Sequence, residues 1–139
     1  MQGRTGPFRG RMGSFVWSGL NGLMGALFVF AAALQYNDSH WLRWMLLYLA
    51  AAVPCVVAVR RRARWLLPAA IAAVGLIWVS FYVARGAWTV PLGEMFAEWE
   101  MKNQQVVDTR EMFGLFIVVG WMAVLTVASL RPSSRNTEK

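Results

Sequence analysis

Residues 15–36 read FVWSGLNGLMGALFVFAAALQY, a stretch from Phe15 to Tyr36 with no charged side chain. At about 1.5 Å of rise per residue, a helix over it covers the roughly 30 Å hydrocarbon core of a bilayer. It predicts a membrane-crossing helix, and the rest of the 139-residue chain repeats the pattern. Trp44 to Val59 is also uncharged and extends back to Trp41 past Arg43, which is near enough to the end to snorkel its guanidinium to the headgroups. Trp65–Ala84 and Met112–Leu130 complete the set, so the expected spans are 15–36, 41–59, 65–84 and 111–130. Only helices and closed barrels satisfy their backbone groups in lipid, and these continuous runs lack a barrel's period-two alternation. The expected fold class is all-α, a four-helix transmembrane bundle occupying residues 14–131.

Charge placement sets an expected orientation. Of fourteen Lys and Arg, only Arg43, Arg85, Lys102 and Arg110 fall on one side. The others, including Arg4, Arg9, Arg11 and the cluster Arg60, Arg61, Arg62 and Arg64, fall with the two termini, which the positive-inside rule assigns to the cytoplasm. Of seven acids only Glu138 joins them. The net charge of +7 is therefore read as topology, with no nucleic-acid partner implied. Trp17 and Trp65 fall at the cytoplasmic boundary and Trp41, Trp44, Trp88 and Trp99 near the opposite one, as in an aromatic belt. Trp78 and Trp121 fall near mid-membrane and are expected to face protein.

Residues 1–13, rich in Gly and Arg, and residues 132–139 hold too little apolar surface to fold alone and are expected to be flexible cytoplasmic segments. Basic residues ahead of an apolar stretch ending at Ala31, Ala32 and Ala33 have the outline of a signal peptide, but the stretch is as long as a span and is read as a retained helix. The single cysteine, Cys55, permits neither an internal disulfide nor a Cys-x-x-Cys pair. The single histidine, His40, falls in a loop, so no intramembrane histidine is offered to haem or a chlorophyll-type pigment. No cofactor is expected, and bound lipid is.

No span carries a charge at its centre, whereas proton-coupled carriers commonly need an intramembrane carboxylate. Ser18, Gly22 and Ala26 form a small-xxx-small stripe widened by Gly19 and Gly25, a pattern that lets helices approach closely. Asn21 beside it is expected to hydrogen-bond to a neighbouring helix, with a substrate contact as the alternative.

Loop residues carry the remaining signal. In Gln35-Tyr36-Asn37-Asp38-Ser39-His40-Trp41, Asp38 or Ser39 can cap the second helix. In the third loop Leu92, Met95, Phe96 and Trp99 share a face at i, i+3, i+4 and i+7, with Glu94 and Glu98 opposite, and predict a short interfacial helix or a face that docks a neighbouring subunit. Asp108 with Glu111 three residues later has the spacing of a capping box at the start of the last helix. A sharper alternative is that Asp38, His40, Glu98 and Glu111 converge to bind a hard or borderline metal or a polar ligand.

Gln35-Tyr36-Asn37-Asp38 closing an apolar helix, followed by Arg110-Glu111-Met112-Phe113-Gly114-Leu115-Phe116-Ile117 opening the last one, resembles the transmembrane protein 220 family of small four-helix membrane proteins. Ser39 and His40 stand where that family has Pro and Asp, and Val107-Asp108 where it often has two acids. The resemblance covers roughly residues 15–130, implies the fold, and marks Gln35, Tyr36, Asn37, Asp38, Arg110, Glu111 and Gly114. It names no reaction.

Three function classes remain. The favoured one is a non-catalytic accessory or scaffold subunit packing Ser18, Asn21, Gly22, Gly25, Ala26, Met95, Phe96 and Trp99 against other integral membrane subunits, with a respiratory or photosynthetic assembly as a plausible host. A small homo-oligomeric transporter would need a polar or charged site at mid-membrane. A membrane enzyme or metal-binding protein would need acidic side chains sharing one pocket.

Overall fold

The computed structural model describes residues 8–37, 40–60, 64–89, 91, 93 and 104–131. All regular structure among them is helical: α1 over Phe8–Leu34, α2 over Trp41–Val59, α3 over Leu66–Ala84 and α4 over Gln104–Leu130, with 3-10 turns at Gln35–Asn37 and Ala87–Thr89. Each of the four helices is long and apolar enough to cross a membrane. Two compact units, Met1–Arg64 and Trp65–Lys139, each hold one helical hairpin.

In the first hairpin α1 buries Asn21, Gly25, Phe28 and Ala32, spaced four, three and four apart so that they line one stripe of the helix. They meet Trp44, Leu47, Ala51, Cys55 and Ala58 of α2, which are also buried. At Gly25 the backbones come close, because a Cβ there would lie 3.2 Å from the Cys55 Cβ. Further along, the Phe28 and Tyr48 rings stack at 6.4 Å, and Tyr48 lies 6.1 Å from Trp44. Residue 25 opposite 55 and residue 28 opposite 48 make the pair antiparallel. Pro54, inside α2 and buried, removes one helical hydrogen bond, a loss that membrane helices absorb by local adjustment. Helix α2 begins with His40 at the cap position and no side-chain cap bond. The expected caps Asp38 and Ser39 lie outside the described residues.

The second hairpin has its own seam: Ile71, Gly75, Val79 and Tyr82 of α3 face Met112, Leu115, Val118 and Met122 of α4. A Cβ at Gly75 would lie 2.5 Å from Val119 Cγ2, so this glycine sets the closest approach of the pair. Pro68 costs α3 no hydrogen bond because it sits in the first turn. Beyond Arg85 the chain turns at Gly86, whose φ of 81° is the left-handed conformation that ends many helices. The Gly86 N–H donates to Val83 O at 3.0 Å and the Thr89 N–H to Gly86 O at 3.1 Å, closing the turn.

Helix α4 corrects one expectation. It is already helical at Gln104, so Asp108 lies inside the helix rather than at its cap, and the capping box with Glu111 does not form. Residues 104–107 contain no helix breaker, and burial of Val106 and Thr109 supplies the tertiary contact that extends the helix by a turn. The interfacial helix expected over Leu92, Met95, Phe96 and Trp99 lies outside the described residues, as do Glu94 and Glu98. The described part of that connection includes the 3-10 turn Ala87–Thr89.

Candidate functional site

Polar side chains of the second hairpin concentrate where α3 ends and α4 begins. Antiparallel packing brings the last turn of α3 beside the second turn of α4, and three side-chain links join residues there. Tyr82, only 4% exposed, donates its hydroxyl hydrogen to Glu111 Oε2. Thr109 Oγ1 lies 2.5 Å from Ala87 O and 2.7 Å from Gln105 O, so one hydroxyl hydrogen serves two carbonyls. Asp108, 8% exposed, accepts from Gln104 Nε2 at 2.9 Å.

The chemistry of this cluster follows from its partners. Tyr82 crosses from α3 to α4, and Thr109 ties α4 to the turn after Gly86, so both act as clasps on the hairpin. Asp108 is held from within its own helix by a residue one turn earlier. A carboxylate so buried is costly unless hydrogen-bonded, and the Gln104 amide supplies one such bond. Arg110 and Gly114 are half-buried on the same helix.

Other residues singled out in the sequence are placed as follows. In the first hairpin Gly25 and Asn21 are buried, Ser18 is half-buried, and Gly22 and Ala26 are exposed. The Asn21 Nδ2 donates to Trp17 O, one turn earlier in α1, at 2.9 Å. Gln35 is half-buried and Tyr36 exposed, both in the 3-10 turn that Asn37 ends. His40 is exposed and, with Trp41, Leu42, Arg43 and Leu46, lines a shallow concavity of about 320 Å³. Of the four metal candidates, Asp38 and Glu98 lie outside the described residues, while His40 belongs to the first unit and Glu111 to the second. Among the described residues no group of three His, Cys, Asp or Glu could hold a metal ion. Met95, Phe96 and Trp99 are outside the described residues. Trp78 and Trp121 are both half-buried.

Sequence reasoning marked Asp108 and Glu111 but missed Tyr82 and Thr109. A signal for Tyr82 was present: it lies within a turn of Arg85, at the end of the third span, which any antiparallel hairpin must set beside the start of the fourth.

The family described as "Transmembrane family 220, helix" has a model that matches residues 27–127. The chain belongs to this transmembrane family. The matched region runs from within α1 to near the end of α4 and takes in both motifs, Gln35–Asp38 and Arg110–Gly114. Its helical character agrees with four helices capable of crossing a membrane. No solved structure matches the chain.

Proposed function

We propose that this member of transmembrane family 220 is an accessory or scaffold subunit, without chemistry of its own, that stabilises a larger assembly of integral membrane subunits. Both termini lie on the cytoplasmic side, and lipid covers the exposed apolar helix faces, such as Leu23 and Phe30 of α1 and Ile77 and Phe81 of α3. Respiratory and photosynthetic assemblies are the host class in view.

One observation supports the reading: among the described residues at the α3–α4 end, Tyr82, Asp108, Thr109 and Glu111 bond to one another, to Gln104 and to backbone. Glu111 receives the Tyr82 hydroxyl, Asp108 receives Gln104, and Thr109 donates to Ala87 and Gln105. Groups engaged in this way position helices, whereas a reaction centre needs groups aimed at a substrate.

Native mass spectrometry of the protein, extracted gently from its own membrane through a tag on the C-terminal tail, tests the proposal. Recovery in a stoichiometric larger assembly is expected. Recovery without any other subunit, with a retained small molecule or metal, would favour ligand chemistry or transport instead.

A further inference from the structure

The first unit, residues 1–64, contains eight arginines, no lysine and one acid, Asp38. Antiparallel packing sorts these charges by end. Asp38 and Arg43 fall where α1 hands over to α2. Arg9 and Arg11 lie in the first turn of α1, and Arg60 and Arg64 follow the last residue of α2, at the opposite end of the hairpin. Arg61 and Arg62, outside the described residues, add two more in sequence. The Arg60 N–H donates to Val56 O at 3.1 Å, so α2 itself fixes the depth of this residue. It stands one position past Val59, the end of a 19-residue span about 28 Å long, where hydrocarbon gives way to headgroups. Arg60 and Arg64 are exposed, and the one acid of their unit belongs to the other end.

We infer that Arg60 and Arg64 form a binding site for the phosphate of an anionic phospholipid. Topology asks only for positive charge, which lysine supplies as well as arginine. The negative end of the α2 dipole is offset by Arg60 alone. Neither requirement calls for a guanidinium at every basic position or for so many at one end. A phosphate does, because the guanidinium fork meets two of its oxygens at once, whereas an ammonium acts as a point charge. Depth selects the source of that phosphate: a residue fixed at the end of a span stands in the headgroup layer, where lipid supplies it. In the proposed orientation this is the cytoplasmic leaflet, which carries anionic lipid and attracts basic segments next to a span. Val56 and Val59, both exposed within the preceding turn, give the upper acyl chain an apolar surface. The site is independent of the accessory role, since lipid can bind the chain alone or within a host.

The test uses the full chain in phosphatidylcholine vesicles containing a trace of lipid spin-labelled on its acyl chain, phosphatidylglycerol in one sample and phosphatidylcholine in the other. The immobilised fraction of each gives their relative affinity for the protein. The wild type should prefer phosphatidylglycerol about tenfold. Arg60→Gln with Arg64→Gln should lower that preference about fivefold, the factor that one cation contributes at an anionic headgroup layer. Arg60→Lys with Arg64→Lys keeps the charge and the orientation signal, and should still lose about half of the preference. The matched pair Arg43→Gln and Arg85→Gln, exposed arginines outside this end, should change it less than about twofold. Helix content by circular dichroism should be the same in all variants. A wild type without preference for phosphatidylglycerol, its cluster serving an acidic protein segment or insertion alone, would overturn the inference. So would a lysine variant equal to the wild type, or a preference as sensitive to the Arg43 and Arg85 changes as to those at Arg60 and Arg64.

Discussion

At Thr109 one hydroxyl hydrogen stands between two carbonyls, Ala87 O at 2.5 Å and Gln105 O at 2.7 Å. The first bond crosses to the turn after α3, while the second is the local back-bond any helical threonine can make. Thr109→Val keeps the shape and removes the hydroxyl, so Ala87 O loses its partner in a buried place. The expected cost is about 1–3 kcal/mol of hairpin stability, measured by denaturant titration in mixed micelles. Serine should restore most of the loss. The Tyr82–Glu111 bond calls for a double-mutant cycle, because Tyr82→Phe alone leaves a half-buried carboxylate with one donor fewer. A coupling energy of about 1–2 kcal/mol between Tyr82→Phe and Glu111→Gln is expected for a bond to a carboxylate; independent effects would count against the clasp. The residue types at this end were legible, since acids at a helix start invite a capping reading. Their partners were not, because Tyr82 and Ala87 are distant in sequence from α4 and only the packed hairpin brings them near.

Helices as elements were legible from the gaps between charges, and their faces were not. In a soluble helix the buried face is the apolar one, but lipid is as apolar as a protein interior, so hydropathy does not distinguish the two. Of the residues marked on α1, Asn21 and Gly25 lie in the buried seam with Phe28 and Ala32, while Gly22 and Ala26 are exposed. Gly75 escaped notice for the same reason, although it governs the second hairpin. Alanine there would place its Cβ 2.5 Å from Val119 Cγ2. A helical valine has one strongly preferred rotamer and cannot swing that methyl aside. Gly75→Ala should therefore force the helices apart at a cost of about 1–3 kcal/mol, and Val119→Ala in the same chain should recover part of it. At Gly86 the obstacle is backbone conformation rather than space, since φ is 81° and no atom crowds the Cβ position. Gly86→Ala should cost about 1–2 kcal/mol, a loss that no second-site deletion of bulk would relieve.

For the whole molecule, the family match over residues 27–127 agrees with the motif resemblance, and four helices are long and apolar enough to cross a membrane. The proposed orientation is open to direct measurement. A reporter that fluoresces only on the cytoplasmic side should be bright at either terminus and dark when inserted beside Gly93; dark termini would reverse the assignment. Helix α4, at 27 residues, is about 40 Å long and exceeds a ~30 Å hydrocarbon core. Its first turns, with Asp108 and Thr109, can therefore stand in the headgroup region, where polar clasps are less costly than in lipid. Cys55 has a consequence for any such mapping. It is the chain's single cysteine, it has 0% exposure, and its sulfur leans 3.5 Å from Ala51 O behind the close approach at Gly25. Maleimides should pass over it while the first hairpin is folded. The wild-type protein thus comes as a silent background for thiol labelling: a cysteine introduced at any exposed position reports alone, and unexpected labelling of the parent chain becomes a gauge of the first hairpin coming open.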